Sequence, residues 1–249
     1  IVFWMGRNSF TAVPPSGIAT YKKELFTKES LRIFGRLGVV YLFVAIFWAL
    51  FDQSGSTWVM QAEKLNRTVT LFGSTFEILQ SQIQAVNPLM ILLFIPLFSR
   101  VIYPAIDRVF PLNELRKIGL GLFVTVFSFA IVAYTEMQLE AGHEMSIMWQ
   151  VYAYAVITAA EVMVSITALE FTYTQAPNSM KSFMMGLFLL SVSLGNIVTA
   201  GVNLFIQNDD GTVILSGSEY YWFFAMLMLS FAVVFSIVSR KFTIQKILQ

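Results

Sequence analysis

The sequence predicts an all-α integral membrane protein, on the evidence of its composition and the spacing of its apolar segments. Of its 249 residues, 57% are hydrophobic and 12% are charged, whereas soluble domains carry about 25% charged residues. Six apolar segments each approach the roughly 20 residues that a helix needs to cross a bilayer. Segments rich in polar residues, proline and glycine separate them. We therefore expect a bundle of six membrane-spanning helices.

The six spans are predicted from the bounds of the apolar segments. They are Gly35–Gln61, Ser81–Phe98, Ile118–Thr135, Met148–Tyr173, Phe183–Ile206 and Tyr220–Val238. Residues 62–83 and 100–117 are predicted to be loops, and Glu136 is predicted to begin an acidic loop. In the second span, Asn87-Pro88 predicts a kink, because proline removes a backbone donor and the asparagine can bond the freed carbonyl.

The remaining segments divide the chain into four regions. Residues 1–6 resemble the end of a preceding membrane helix, since they are apolar and lack the basic start of a signal peptide. Residues 7–34 are polar and basic and are predicted to be a cytoplasmic linker that includes a short surface helix. Residues 35–239 form the bundle, and residues 240–249 are a cytoplasmic tail. In the fifth span, the glycines at 186, 195 and 201 predict close contact between helices.

Charge orients the bundle in the membrane. The ends and loops on one side carry 14 of the 16 Lys and Arg residues, and the opposite loops carry eight acids. Basic loops stay cytoplasmic. Both ends of the chain are therefore expected on the cytoplasmic side of a plasma membrane, with lipid around the bundle.

Composition also excludes several kinds of function. The chain has no cysteine and one histidine, which excludes thiolate metal sites and makes a histidine-based metal or catalytic cluster unexpected. The net charge of +1 gives no reason to expect a nucleic-acid partner. We predict a protein that is not an enzyme and needs no cofactor.

Three acids lie within the predicted spans, namely Asp52, Glu161 and Glu170. A carboxylate in a membrane helix costs roughly 2.5–3.5 kcal/mol on insertion scales, so such residues usually face a cavity or a partner. Glu170 lies about 180° around the helix from Glu161 at 100° per residue and is close to the cytoplasmic end. We therefore expect Asp52 and Glu161 to be functional and Glu170 to be an interface residue near Lys181.

Apart from Arg36 at the start of the first span, no Lys or Arg lies within the six predicted spans. Two buried acids therefore need a cationic substrate, a bound proton or basic residues from another part of the protein. This deficit predicts a pocket between this bundle and a second one. Trp48 and Phe51 share a helix face with Asp52, which favours a pocket wall with apolar or cation–π contacts.

Several motifs resemble those of proton-dependent oligopeptide transporters. FWALFDQSGS at residues 47–56 resembles their seventh membrane helix, and Asn87-Pro88 resembles the eighth. Residues 161–182 are similar to the tenth helix and its cytoplasmic turn, and Gly195-Asn196 is similar to the eleventh. The start of the chain, with Gly6-Arg7 and Pro14-Pro15, resembles the exit from the sixth.

The resemblance implies the C-terminal six-helix bundle of a major facilitator superfamily transporter. A missing N-terminal six-helix bundle would complete a site for di- and tripeptides, whose symport the proton gradient drives. Glu161 resembles the acid that holds the peptide's amino terminus, Asn87 an amide at the same end and Ser165 a further pocket position. Trp48 and Phe51 are similar to pocket walls.

The resemblance also suggests roles for two further positions. Asp52 resembles an acid that pairs with a base of the first bundle and closes the outer gate. Phe188 stands where many members carry tryptophan, which alters the shape of the pocket. Within this chain alone, Asp52 is expected to be unpaired.

Three alternatives remain open. One is a related carrier for another small solute, such as nitrate or an amino-acid derivative, although two acids without a base suit an anion poorly. An intramembrane hydrolase is disfavoured because no Ser–His pair can form in the membrane. A channel is disfavoured because no repeated ring of polar residues occurs.

Overall fold

A computed structural model describes residues 27–71, 73–176, 180–206 and 214–242. Within these ranges, six helical segments are long and apolar enough to cross a membrane, as predicted. They are Ser30–Glu63, Gln80–Asp107, Glu114–Glu140, Met148–Gln175, Lys181–Ile206 and Ser218–Lys241, called here the first to the sixth span. Residues 1–6, most of the predicted linker and residues 243–249 of the tail lie outside the described residues.

The first span is a helix in two parts. An α-helix, Lys28–Phe51, leads through a 3₁₀ segment, Asp52–Gly55, into a second α-helix, Thr57–Glu63. The Thr27 hydroxyl caps the start by accepting the Ser30 amide N–H, which satisfies one of the free donors of the first turn. The helix thus begins seven residues before the predicted bundle boundary at Gly35, within the segment that the sequence predicted to be a linker with a short surface helix.

The second span changes helix type along its length. A 3₁₀ segment, Gln80–Ala85, precedes the α-helix Val86–Leu97, and a π-helical turn, Phe98–Ile102, leads into the α-helix Tyr103–Asp107. Pro88 lies in the first turn of its α-helix, where a missing N–H costs little. Residues 100–107, predicted to belong to a loop, are thus helical. The Asn87 amide was predicted to bond the backbone carbonyl that Pro88 leaves free, but it bonds Thr158 and Glu161 of the fourth span instead.

The other spans follow the prediction more closely. The third is Glu114–Glu140, started by the Asn113 side chain, which accepts the Arg116 N–H at 2.8 Å. The fourth consists of Met148–Glu161, a π-helical turn Val162–Ile166, and Thr167–Gln175. The fifth and sixth contain the α-helices Lys181–Ile206 and Ser218–Val238, the latter followed by the 3₁₀ turn Ser239–Lys241.

A β-hairpin replaces part of the predicted loop at 62–83. Strands Thr68–Leu71 and Ser74–Glu77 pair antiparallel, and Gly73 takes the positive φ of 81° that a two-residue turn needs. The signal was the run of β-branched residues at 68–70, followed by a glycine and a further threonine at 75. An ion pair of 2.7 Å between Arg67 and Glu77 joins the base of the hairpin.

The spans pack in a closed order. The second span packs on the fourth, the fourth on the third, the third on the sixth, the sixth on the first, and the first on the fifth. The fifth also contacts the end of the fourth. Only 6% of the second span's apolar window, 22% of the fifth span's and 28% of the sixth span's is buried, against 56% in the first, third and fourth. The second, fifth and sixth spans therefore present most of their apolar surface outward.

One glycine sets the distance between the first and fifth spans. A Cβ on Gly195 would lie 2.6 Å from the Ala45 carbonyl oxygen and 2.8 Å from the Ala49 nitrogen. The Thr199 hydroxyl, one turn on, donates to the Ala49 carbonyl at 2.9 Å. The prediction for Gly195 is thus confirmed. Gly186 and Gly201 meet nothing within 4 Å in the described chain, so they make no close helix contact there.

A buried polar cluster joins the first, third and fourth spans at the acidic end. Glu136 is 2% exposed and helical, so placing it in a loop was wrong. Its carboxylate accepts the Gln61 amide at 2.8 Å and pairs with Lys64 at 2.5 Å. The Gln150 amide donates to the Trp58 carbonyl at 2.6 Å. Glu136 can lie buried at the end of an apolar helix because Lys64 and the Gln61 amide satisfy its carboxylate.

The helix crossing at Gly195 predicts the effect of a single added methyl group. Gly195→Ala pushes against backbone atoms that cannot rotate away, so the free energy of unfolding should fall by about 1–3 kcal/mol. Gly186→Ala in the same helix is the matched control and should cause no such loss, because its surroundings are open. Thermal unfolding in one detergent measures both, and equal losses would contradict the crossing.

The buried cluster predicts unequal effects for the two ion pairs. Lys64→Met leaves the Glu136 side chain, 3% exposed, without its cation, so unfolding should become easier by about 1–3 kcal/mol. Arg67→Met breaks a pair whose acid is 59% exposed and should cost less than about 1 kcal/mol. The free energies of unfolding of the two variants, measured by denaturation in the same detergent, give the two losses. Equal costs would show that Glu136 is not buried against Lys64.

Candidate functional site

Asp52 lies where the first span changes helix type. It closes the α-helix Lys28–Phe51 and begins the 3₁₀ segment Asp52–Gly55. A 3₁₀ stretch inside a long helix leaves carbonyls free for other partners. The Ser54 carbonyl accepts the Tyr154 hydroxyl at 2.6 Å, and the Gly55 carbonyl accepts the Gln84 amide at 3.4 Å. The interruption at Asp52 is thus held by side chains of the second and fourth spans.

The Asp52 carboxylate has an amide neighbour but no cation in the described chain. Asp52 is half-buried and lies beside the side chain of Asn196 of the fifth span. Neither of the two ion pairs in the described chain involves Asp52. The expectation that its cationic partner lies outside this chain stays a prediction. Asn196 follows Gly195, so the close crossing of the two helices brings its amide to the acid.

Aromatic rings flank Asp52 on the helix face that the sequence predicted. The rings of Trp48 and Phe51 meet edge to face, with centroids 5.3 Å apart and an angle of 85°. Both are half-buried, while Phe47, which packs against both, is fully buried. Edge-to-face pairs stabilise each other's position beyond the area they bury. The ring contacts therefore hold Trp48 and Phe51 in place, while part of each ring remains exposed.

Glu161 and Asn87 meet, although 73 residues separate them in the sequence. The Asn87 amide donates to Glu161 Oε2 at 2.8 Å and to the Thr158 hydroxyl oxygen at 3.0 Å. Thr158 in turn donates to the Tyr154 carbonyl at 2.7 Å. A carboxylate accepts hydrogen bonds only, so it fixes the orientation of the Asn87 side chain. Two predicted site residues are thus brought together by the packing of the second span on the fourth.

A π-helical turn follows Glu161 directly. The α-helix ends at Glu161, and Val162–Ile166 form the π-helical turn. Such turns insert a residue into the helix and are frequent at functional sites. Ser165 lies in this turn and is half-buried, so its role in the pocket stays a prediction. The sequence offered no signal for the turn.

Two predicted positions lie apart from this arrangement. Phe188 is 4% exposed and packs edge-on against Tyr41, so its ring lies inside the bundle and a pocket role there stays a prediction. Glu170 is exposed and lines a separate cavity of about 540 Å³ together with Tyr103 and Lys117. Lys181 lies over the Tyr173 ring at 4.2 Å, and no ion pair joins it to Glu170 in the described chain.

The fold is that of one six-helix bundle of a major facilitator superfamily transporter. The chain belongs to the POT family, whose model matches residues 16–223. An auto-inhibited POT family peptide transporter superimposes with a TM-score of 0.78 at 30% identity, covering 88% of this chain and 43% of that one. The POT family transporter PepTSo gives a TM-score of 0.75 at 34% identity, with 88% and 44% covered.

Curated relatives give the same family. Peptide transporter PTR2 of Saccharomyces cerevisiae is 32% identical over 172 residues, 64% of this chain and 27% of that protein. Peptide transporter 3 of Caenorhabditis elegans is 39% identical over 116 residues, 47% of this chain and 16% of that protein. The chain spans less than half the length of these relatives and of the solved structures above.

The Glu161–Asn87 contact predicts energetic coupling between the two side chains. Hydrogen bonds to charged groups contribute about 1.5–3 kcal/mol. In a double-mutant cycle, Asn87→Ala and Glu161→Ala should therefore be non-additive in unfolding free energy by about 1–3 kcal/mol. Asn203→Ala with Glu161→Ala is the control pair, because Asn203 bonds Tyr220 instead. Additive effects for Asn87 and Glu161 would contradict the contact.

Proposed function

We propose that the protein carries out proton-coupled symport of di- and tripeptides by alternating access, with this chain supplying the C-terminal half of the peptide site and the outer gate. The observation that carries this proposal is the Glu161–Asn87 pair. It is a half-buried carboxylate within a membrane span, held by an amide and lacking a cation among the described residues.

The pair has the acceptors that a peptide's ammonium group needs. Only Oε2 of Glu161 receives a hydrogen bond from the described residues, so Oε1 is free to accept. The side-chain carbonyl oxygen of Asn87, Oδ1, also receives no hydrogen bond from the described residues. An ammonium has three donors and one positive charge, and a negative charge beside two free acceptors suits it. The amino terminus of the peptide would thus supply the missing cation.

The peptide's carboxylate needs positive charge that this bundle does not offer. No Lys or Arg lies near the centre of a span, so those groups would come from a second bundle. The outward-facing second and fifth spans carry Asn87, which bonds Glu161, and Asn196, which lies beside Asp52. This supports a site between two bundles, and the relatives named above are described as peptide transporters.

Asp52 would serve the outer gate. The neighbouring Asn196 amide carries no charge and cannot neutralise the carboxylate, so a base on the facing bundle gains a strong interaction when the bundles close on that side. The change from α-helix to 3₁₀-helix at Asp52–Gly55 gives the outer part of the first span a point about which it can pivot. Protons would compete with such a base for the carboxylate, which couples closure to the proton gradient.

A carrier of nitrate or another anion fits the same geometry less well. Both site acids repel an anion, and the free acceptors of Glu161 and Asn87 offer it no donor. An amino-acid derivative with a free amino group would still satisfy the pair. Uptake of free and N-acetylated substrates therefore separates a carrier that binds an amino group from a carrier of anions.

Glu161→Gln should reduce proton-driven dipeptide uptake at least about 30-fold at low substrate concentration, because losing one partner of a buried charge pair costs about 2–5 kcal/mol. Glutamine keeps an acceptor for Asn87, so the fold should survive. Uptake into proteoliposomes of the full-length protein under an imposed pH gradient measures the effect.

Glu170→Gln is the matched control in the same span. Glu170 lines the separate cavity described above and should leave uptake within about twofold of the unmodified protein, which is the range of a surface charge change. Full uptake in Glu161→Gln, or an equal loss in both variants, would contradict the assigned role of Glu161.

A further inference from the structure

A second cavity lies at the basic end of the bundle, between the third and sixth spans. Its volume is about 530 Å³. It is called here the basic groove and is lined by Phe110, Asn113, Leu115, Arg116, Gly119, Leu120, Phe123, Ser236, Ser239, Arg240 and Phe242. None of these residues belongs to the spans that carry Asp52, Asn87 or Glu161. The groove is therefore separate from the proposed peptide site.

The charge of the groove is positive only. Two guanidinium groups line it, from Arg116 at the start of the third span and Arg240 at the end of the sixth, and no acid does. Neither arginine belongs to an ion pair within the described ranges. Arg116 donates to the Pro111 carbonyl at 2.5 Å and lies 4.6 Å from the centre of the Phe110 ring. Its position is thus fixed while its charge stays uncompensated.

The other lining residues are mixed, with polar Asn113, Ser236 and Ser239, while an apolar side formed by Leu120 and Phe123 runs inward along the third span. Phe123 lies seven residues beyond Arg116 in the third span, about 10 Å further along at 1.5 Å per residue. Gly119 lies between them and lets the Phe235 ring of the sixth span pack close to the third span, 3.4 Å from where its Cβ would be. The groove therefore joins a positive mouth to apolar side chains deeper along the third span.

We propose that the basic groove binds an anionic phospholipid, with its phosphate between Arg116 and Arg240 and an acyl chain against Phe123. Guanidinium groups recognise phosphate through paired donors. Basic pockets between membrane helices at the cytoplasmic side suit anionic headgroups. A soluble anion would use the arginines alone, whereas the apolar continuation at membrane depth favours a lipid.

The test uses the full-length protein in a zwitterionic lipid, titrated with phosphatidylglycerol and followed by thermal unfolding and by native mass spectrometry. Phosphatidylglycerol should raise the unfolding temperature and remain bound. Arg116→Gln/Arg240→Gln should lower its apparent affinity roughly 30-fold, since each basic residue near an anionic headgroup contributes about 1 kcal/mol. Arg240→Gln alone, which removes no hydrogen bond within the described chain, should lower it roughly fivefold.

The matched control is Arg100→Gln/Arg108→Gln. It removes the same charge from exposed positions at the same end, outside the groove, and should keep most of the affinity. Equal losses in both double variants would overturn the proposal in favour of general surface attraction. Equal stabilisation by inorganic phosphate would overturn it in favour of a soluble anion. Lipid binding that appears only after removal of residues 243–249 would show that the tail occupies the groove and would also overturn it.

Discussion

The cost of holding carboxylates inside a membrane bundle is the constraint on which the rest of this structure depends. Three acids show two ways of meeting it. Glu136 has both a cation, Lys64, and an amide, Gln61, so it is satisfied within the chain and joins its helices. Asp52 and Glu161 have no cation in the described chain: Glu161 accepts the Asn87 amide, and Asp52 lies beside the amide of Asn196. An amide orients a carboxylate without neutralising it, so these two acids remain able to bind a positive charge from outside the bundle.

The helix geometry follows the same division. Both unneutralised acids lie at changes of helix type, Asp52 at the start of a 3₁₀ segment and Glu161 before a π-helical turn. The rigid contacts lie elsewhere, at the Gly195 crossing and in the Glu136 cluster. Regular helices with satisfied polar groups thus form a frame, and the irregular points carry the charges. Such a distribution suits a bundle that keeps its own packing while a facing bundle moves against it.

The sequence predicted the six spans and singled out the acids within them, because apolar runs and isolated charges are direct signals of a membrane environment. It predicted the meeting of Asn87 with Glu161 only through resemblance. It missed Asn196 as the neighbour of Asp52, because spacing along the chain does not reveal contacts between distant helices. It placed Glu136 in a loop, because a charge that ends an apolar run looks solvated until its partners are known. The π-helical turns left no compositional signal at all.

The most direct measurement is calorimetric binding of a dipeptide and its N-acetylated form to the full-length protein and to the Glu161→Gln variant. Acetylation removes the ammonium that the Glu161–Asn87 pair is proposed to hold. The unmodified protein should prefer the free dipeptide by at least about tenfold, which is about 1.4 kcal/mol, and the variant should bind both forms equally. A preference that persists unchanged in the variant would contradict the account, because the ammonium would then be recognised elsewhere.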